Sequence, residues 1–234
     1  MNRIGIIGAM EIEVEGLKND MQIEREVKKA GMQFCQGKLG AKEVVVVRSG
    51  IGKVNAAVCT QILVDEFGVE AVINTGIAGS LNAQIDIGDI VVSTDVVHHD
   101  MDAVNFGYEP GQIPQMDVFS FAADETLADL AERVCHEVNP DISVYRGRVV
   151  SGDQFVADRE VKERITRQFH GFCTEMEGAA IAQASYLNQI PFVIIRAISD
   201  KADDSASEDY PVFEKKAAQH CIRLVEGLME RLPA

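Results

Sequence analysis

The 234-residue chain is patterned in short, continuous apolar runs separated by segments in which apolar residues return every three or four positions. Continuous β-branched runs of this length fit strands buried on both faces, and the longer spacing fits amphipathic helices. Strands are predicted at residues 3–8, 34–39, 44–48, 71–75, 90–97, 144–150 and 191–199, the second and third forming a hairpin turned at Gly40-Ala41-Lys42. Helices are predicted from the acidic segment at Glu11, over 54–67, 124–138, 159–169 and 178–188, and from about Val212 onward. Strands alternating with helices imply an α/β fold: a central, mainly parallel sheet with helices on both faces. One domain, residues 1–234, is expected, because no linker-like composition interrupts the pattern. Residues 101–120, rich in Gly, Pro and aromatics, form the longest irregular stretch and are a candidate lid or contact loop.

Composition narrows the function classes. A net charge of −15 repels phosphate backbones and anionic lipid, so neither a nucleic-acid nor a membrane partner is expected. No apolar run reaches the length of a membrane span. The apolar run at residues 3–10 is too short for a secretory leader and leads directly into Glu11, Glu13 and Glu15. The five cysteines (Cys35, Cys59, Cys135, Cys173 and Cys221) are scattered and form no C-x-x-C pair, which predicts reduced thiols in a cytoplasm and no disulfide or zinc framework.

In sheets of this kind ligands collect at the carboxyl ends of the strands, so the strand exits hold the candidate chemistry. The first strand exits as Gly8-Ala9-Met10 and delivers Glu13. The strand at Ile73 exits as Asn74-Thr75-Gly76-Ile77-Ala78-Gly79, read as a glycine-containing turn that a ligand can approach closely. A further exit carries Ser151-Gly152-Asp153-Gln154-Phe155-Val156, and the last strand delivers Ser199-Asp200. Thr174-Glu175-Met176-Glu177 precedes a Gly-Ala-Ala run; Thr174 and Glu177 fit a capping box, while Glu177 beside Met176 also fits a ligand-binding carboxylate. Gly50-Ile51-Gly52-Lys53-Val54 lacks the spacing of a phosphate-binding loop, and Gly5-x-x-Gly8 is not a dinucleotide fingerprint. The pair His98-His99 projects in two directions from a strand end, so no metal site is expected there.

Taken in order, residues 4–13, Ser49-Gly50-Ile51-Gly52-Lys53-Val54, residues 74–79, residues 150–155, Glu175-Met176-Glu177 and residues 196–200 resemble the bacterial 5′-methylthioadenosine/S-adenosylhomocysteine nucleosidases of the nucleoside phosphorylase superfamily. The resemblance covers nearly the whole chain. It implies a three-layer α/β nucleoside phosphorylase-like fold around a mixed, partly closed sheet flanked by helices, in a cytoplasmic homodimer. It implies hydrolysis of the C1′–N9 bond of 5′-methylthioadenosine, S-adenosylhomocysteine and 5′-deoxyadenosine without cofactor or metal. By that resemblance Asp200, of the pair Ser199-Asp200, contacts purine N7; Glu13 activates water; and Glu177 holds the ribose hydroxyls. Phe155 stacks on adenine and the backbone of Val156 reads the base edge, with Gly79 close by. Met10, Ile51, Met176 and Tyr210 line the sugar and thioether pocket, and Phe106 and Pro114 are lent by the neighbouring subunit. Ile77 stands where relatives often carry a small polar residue, and Tyr210 where Phe is common. The alternatives are a phosphorylase of the same superfamily, a hydrolase of aminodeoxyfutalosine-type nucleosides, and a non-catalytic adenosine sensor.

Two carboxyl groups in unlike surroundings suit such a reaction, one donating a proton to the leaving purine and one taking a proton from water.

Overall fold

A computed structural model describes residues 1–202 and 206–233, without the side chains of 207 and 208. Ten strands form one sheet: β1 (Arg3–Gly8), β2 (Gln22–Lys29), β3 (Met32–Leu39), β4 (Lys42–Arg48), β5 (Ala71–Ser80), β6 (Ile90–His98), β7 (Phe121–Ala122), β8 (Val144–Ser151), β9 (Cys173–Glu175) and β10 (Phe192–Asp200). Among the described residues six α-helices accompany them: α1 (Glu15–Asp20), α2 (Lys53–Phe67), α3 (Glu125–Val138), α4 (Arg159–Phe169), α5 (Gly178–Leu187) and α6 (Ala206–Arg231).

The continuous apolar strands are buried on both faces because successive side chains feed two different cores. Ile4 and Ile6, Val44 and Val46, and Val193 and Ile195 face one core with α3 and α6, joined by Val14 and Leu17 of the first helical segment. Ile7, Val45, Val47, Val72 and Ile194 face the other, against Ala56, Cys59 and Leu63 of α2 and Ala179–Ala182 of α5. The period of two therefore produces the three layers. A third cluster, containing Leu81, Val97, Val150, Val156, Ile165 and Phe169, seats α4.

The sheet is mixed and partly closed, as the resemblance implies, rather than mainly parallel, as the alternation of strands and helices alone suggests. Strands β1–β4, β1–β5, β5–β10, β6–β8 and β8–β9 pair in parallel, whereas β2–β3, β3–β4, β5–β9, β6–β7 and β6–β10 pair antiparallel. The order β10-β6-β8-β9-β5, with β5 also bonded to β10, closes a five-strand ring from which β1, β4, β3 and β2 extend as an open arm. Apolar runs mark burial and leave direction open, so the ring is set by tertiary pairing.

Three further boundaries differ from the sequence reading. Residues 76–79 continue β5 as strand instead of turning. The acidic segment forms a 3-10 turn, Glu11–Glu13, before α1 begins. The last helix starts at Ala206 and carries Pro211 within it. Strand β2, with five charged residues among its eight, and the short β7 and β9 carry no sustained apolar run and lie outside the strands expected from the sequence.

Candidate active site

At the carboxyl ends of β1, β5 and β10 the chain lines a cavity of about 410 Å³ with Met10, Glu13, Ile51, Ile77, Gly79, Phe155, Thr174, Glu175, Met176, Glu177, Ser199, Asp200 and Tyr210. None of its described lining residues is Lys or Arg. Carboxylates are rarely buried without partners, so each acid here needs a local account.

Glu13 is placed by the 3-10 turn after β1, which folds its side chain back onto the strand exit. Its Oε2 accepts the N–H groups of Ala9 at 2.7 Å and Met10 at 2.9 Å, and its Oε1 accepts that of Ile77 at 3.0 Å. Burial raises its pKa above the ordinary value, while the Arg196 charge and the backbone donors pull the other way. Because Ile77 serves Glu13 through its main chain, the apolar side chain at this position costs that contact nothing. Gly76 makes the approach possible: a Cβ there would lie 2.5 Å from Arg196 Nη1 and against the Glu13 carboxylate.

Asp200 ends β10. The pairing with β5 skips Ser199, so Ile198 lies opposite Ala78 and Asp200 opposite Gly79. Such an extra residue re-aims the side chain that follows. Asp200 Oδ2 accepts Ser199 Oγ–H at 2.9 Å and Oδ1 accepts the Ala202 N–H at 2.8 Å. A Cβ on Gly79 would come within 2.7 Å of Asp200 Oδ1. The glycine expected at a turn thus acts inside a strand, by making room.

The third acid region departs most from the sequence reading. Glu177 sits at the N-cap of α5 but makes no side-chain capping bond. Its Oε1 accepts instead the N–H of Gly52 at 2.8 Å, the residue that caps α2. The free donors of α5 go to Glu175 and Ser151: Glu175 Oε2 takes Glu177 N–H at 3.2 Å and Gly178 N–H at 2.7 Å, and Ser151 Oγ takes Ala179 N–H at 2.7 Å. Thr174 takes no part in a capping box, and its hydroxyl meets no hydrogen-bond partner among the described residues. Burial pushes the Glu177 carboxyl up to about 8, with the like charge of Glu175 adding to the rise and Arg196 opposing it.

Arg196 is fully buried, pairs with Glu175 and Glu177, and acts on Glu13 through its charge. Its Nη2 bonds Glu175, donates to Asn74 Oδ1 at 2.5 Å and lies 3.8 Å from Glu177 Oε2. Asn74 is fixed in turn by donating to the Ile7 carbonyl at 2.9 Å. A single guanidinium among Glu13, Glu175 and Glu177 leaves this side of the cavity with no excess of positive charge, a setting that disfavours an incoming anion.

The opposite wall is apolar. Phe155 is 48% exposed and meets Tyr210 edge-on, ring centres 5.7 Å apart. Tyr210 gives its hydroxyl to Met10 Sδ at 3.3 Å, so the group that a Phe would lack has found a soft acceptor. An aromatic face half open to the cavity is a stacking platform for a flat heterocycle.

Residues 3–230 match the phosphorylase superfamily. The chain is 44% identical over 233 residues to the 5′-methylthioadenosine/S-adenosylhomocysteine nucleosidase of Chromohalobacter salexigens, covering 99% of this chain and 98% of that one. The chain belongs to this nucleosidase family of the phosphorylase superfamily. The crystal structure of the Neisseria meningitidis nucleosidase in complex with methylthio-immucillin-A superposes with a TM-score of 0.95 at 40% identity, covering 99% of this chain and 100% of that chain. The futalosine hydrolase of Helicobacter pylori has the same fold, TM-score 0.93, at 33% identity over 99% of this chain and 98% of that one.

Of the residues expected in a nucleosidase site, Glu13, Asp200, Glu177, Gly79, Phe155, Met176, Met10, Ile51, Ser199 and Tyr210 converge on the one cavity. The side chain of Val156 does not line it; it is buried in the cluster with Leu81 and Phe169. Phe106 stands 84% exposed in the irregular loop, away from its own chain's cavity. Glu175, Arg196, Ser151 and Asn74 were not singled out as site residues. A buried arginine within a β-branched strand was the available signal for one of them.

Proposed function

We propose that the protein hydrolyses the N-glycosidic bond of 5′-methylthioadenosine and S-adenosylhomocysteine, and of 5′-deoxyadenosine, releasing adenine and the 5′-substituted ribose. The observation that carries this reading is the convergence of Glu13, Glu177 and Asp200 with the open ring of Phe155 on one cavity. Breaking C1′–N9 leaves positive charge on the sugar and negative charge on the purine. Asp200 donates its proton to N7, so that neutral adenine departs. Glu13 orients a water molecule and takes a proton from it as oxygen bonds to C1′. A carboxylate lifted by burial is a stronger base than a solvated one and suits that task. Glu177 bonds the ribose hydroxyls, Phe155 stacks on the base, the Val156 backbone meets its edge, and Met10, Ile51, Met176 and Tyr210 enclose the 5′ substituent. No metal or cofactor enters this mechanism.

Hydrolysis is favoured over phosphorolysis by the charge of the cavity. An attacking phosphate needs cations beside the sugar, and there the described lining offers Glu13, Glu175 and Glu177. Incubating the protein with each nucleoside in phosphate-free buffer and following free adenine tests the reading. Adenine release that is undiminished without phosphate supports it; release only with phosphate, or ligand binding with no turnover, overturns it.

The working unit in this reading is a single domain, residues 1–234, in a cytoplasmic homodimer. Ile51, Val54, Val58, Val104 and Phe106 are exposed and apolar, and the Lys53–Asp100 ion pair at 2.6 Å ties the start of the Phe106 loop to α2. Phe106 and Pro114 then complete the cavity of a second copy. Five buried unpaired thiols suit a reducing compartment, and no helix among the described residues is long and apolar enough to cross a membrane.

A further inference from the structure

The buried acids at the cavity are not equivalent, and the difference lies in their donors. Glu175 is met by Arg196, by the Ser151 hydroxyl and by the N–H groups of Glu177 and Gly178. Ser151 and Glu175 lie opposite each other at the ends of the parallel strands β8 and β9, so together they cap α5 from outside the helix. Space is reserved for this arrangement, since a Cβ on Gly178 would stand only 3.0 and 3.1 Å from the two Glu175 oxygens. Glu177 has one backbone donor, Gly52, and Arg196 at 3.8 Å. With the cap supplied from elsewhere, the Glu177 side chain is released from its own helix and turns to the cavity.

We propose that Glu175, supported by Ser151, is a positioning residue for the reaction proposed above: it anchors Arg196, caps α5 and thereby sets both the direction and the proton affinity of Glu177. The inference rests on that reading of the site. Removing the fixed negative charge at Glu175 lowers the proton affinity of Glu177 in two ways, by deleting a like charge and by freeing Arg196 to pair with it. The other charged and titratable groups facing the pair are Glu13 after β1, His98 and His99 at the end of β6, and Cys173 on β9. Burial lowers the pKa of both histidines and raises that of the thiol, so all three are neutral across the range in which Glu177 titrates.

The test compares the wild type with Glu175→Gln and Ser151→Ala, measuring kcat and KM for 5′-methylthioadenosine between about pH 5 and 9 together with thermal melting. For Glu175→Gln the acid limb of kcat/KM moves about one unit lower and KM rises about tenfold. Ser151→Ala keeps both carboxyl groups and removes the hydroxyl that steadies Glu175 and caps Ala179, so Glu175 holds Arg196 less firmly and the guanidinium is freer to pair with Glu177. Its limb moves the same way by less, and this variant carries the test if Glu175→Gln does not fold. Profiles that superimpose on the wild type after scaling, with losses that follow melting temperature alone, would reduce Glu175 to a helix cap and overturn the proposal. Failure of the wild type to release adenine sinks the underlying reading instead; wild-type turnover with unshifted limbs sinks only this inference.

Discussion

Strands β2 and β5 belong to one sheet and are built on opposite rules. All ten residues of β5 are buried, and the strand bonds to β1, β10 and β9. In β2 every residue except Val27 is exposed, and Glu24, Arg25, Glu26, Lys28 and Lys29 occupy most of its length. Charge along a free edge discourages pairing with another chain, so β2 protects the sheet. The charges beside β5 come from other segments, and β5 admits them by omitting side chains at Gly76 and Gly79. The two strands separate solubility from chemistry: one edge carries side chains outward, while the buried strand leaves room for the acids of its neighbours.

The sharpest way to break this comparison is at the group that β5 accommodates. Asp200→Asn is expected to lower kcat by about 10²- to 10⁴-fold, since an amide has no proton to give N7, while binding of a non-hydrolysable nucleoside analogue is kept. A turnover number near wild type would remove Asp200 from the chemistry. Next in size is Gly79→Ala, whose methyl group would displace the Asp200 carboxylate or Ala202. Activity should fall by about tenfold to a hundredfold, with a stability loss of about 1–3 kcal/mol. An active, fully stable Gly79→Ala would mean that β5 does not need its gap.

The third prediction concerns pH. The pKa of Glu177 is raised in the folded protein to about 8, so the stability this group contributes is complete below its unfolded value, near 4.5, and is lost as pH rises through about 8. Glu177→Gln has no such titration and retains an acceptor for Gly52. Across that window its unfolding free energy should gain on that of the wild type by about 1 kcal/mol or more, read as a rising melting temperature. Parallel curves for the two proteins would show that Glu177 is not carrying a proton in the free site.

The last two effects are small. Thr174→Val removes a buried hydroxyl with no partner among the described residues, so the variant should melt at or above the wild-type temperature, its stability unchanged or raised by up to about 1 kcal/mol. A clear loss would reveal a partner for that hydroxyl. On β2, Glu24→Ala should change stability by less than about 0.5 kcal/mol and leave adenine release untouched. A larger effect there would show that the open arm is coupled to the site.

Legibility in the sequence followed burial. β1, β4 and β10 are readable because side chains facing two cores produce apolar runs, broken in β10 by Arg196. β2 escaped because an edge strand has no core to face. Residues 76–79 read as a turn in the sequence because glycine permits unusual backbone angles, yet here its use is the absent Cβ, which matters only once Glu13, Arg196 and Asp200 are in place. Among the acids, Glu13, Glu177 and Asp200 stood out at strand exits and in ordered motifs. Glu175 stands in the same motif as Glu177, but its role is not legible there, because it depends on Ser151 and Arg196, 24 and 21 residues away along the chain.

The amino-acid order by itself determined the α/β alternation, the three layers, the family and the acids that meet at the cavity, because each is written in local periodicity or in a contiguous motif. Tertiary structure alone decided that β10 and β5 close a ring, that α5 is capped by Ser151 and Glu175, and that one buried arginine is shared by three carboxyl groups. Those features are set by register between distant strands and by competition for a few donors in a dry interior, and neither exists until the chain has folded.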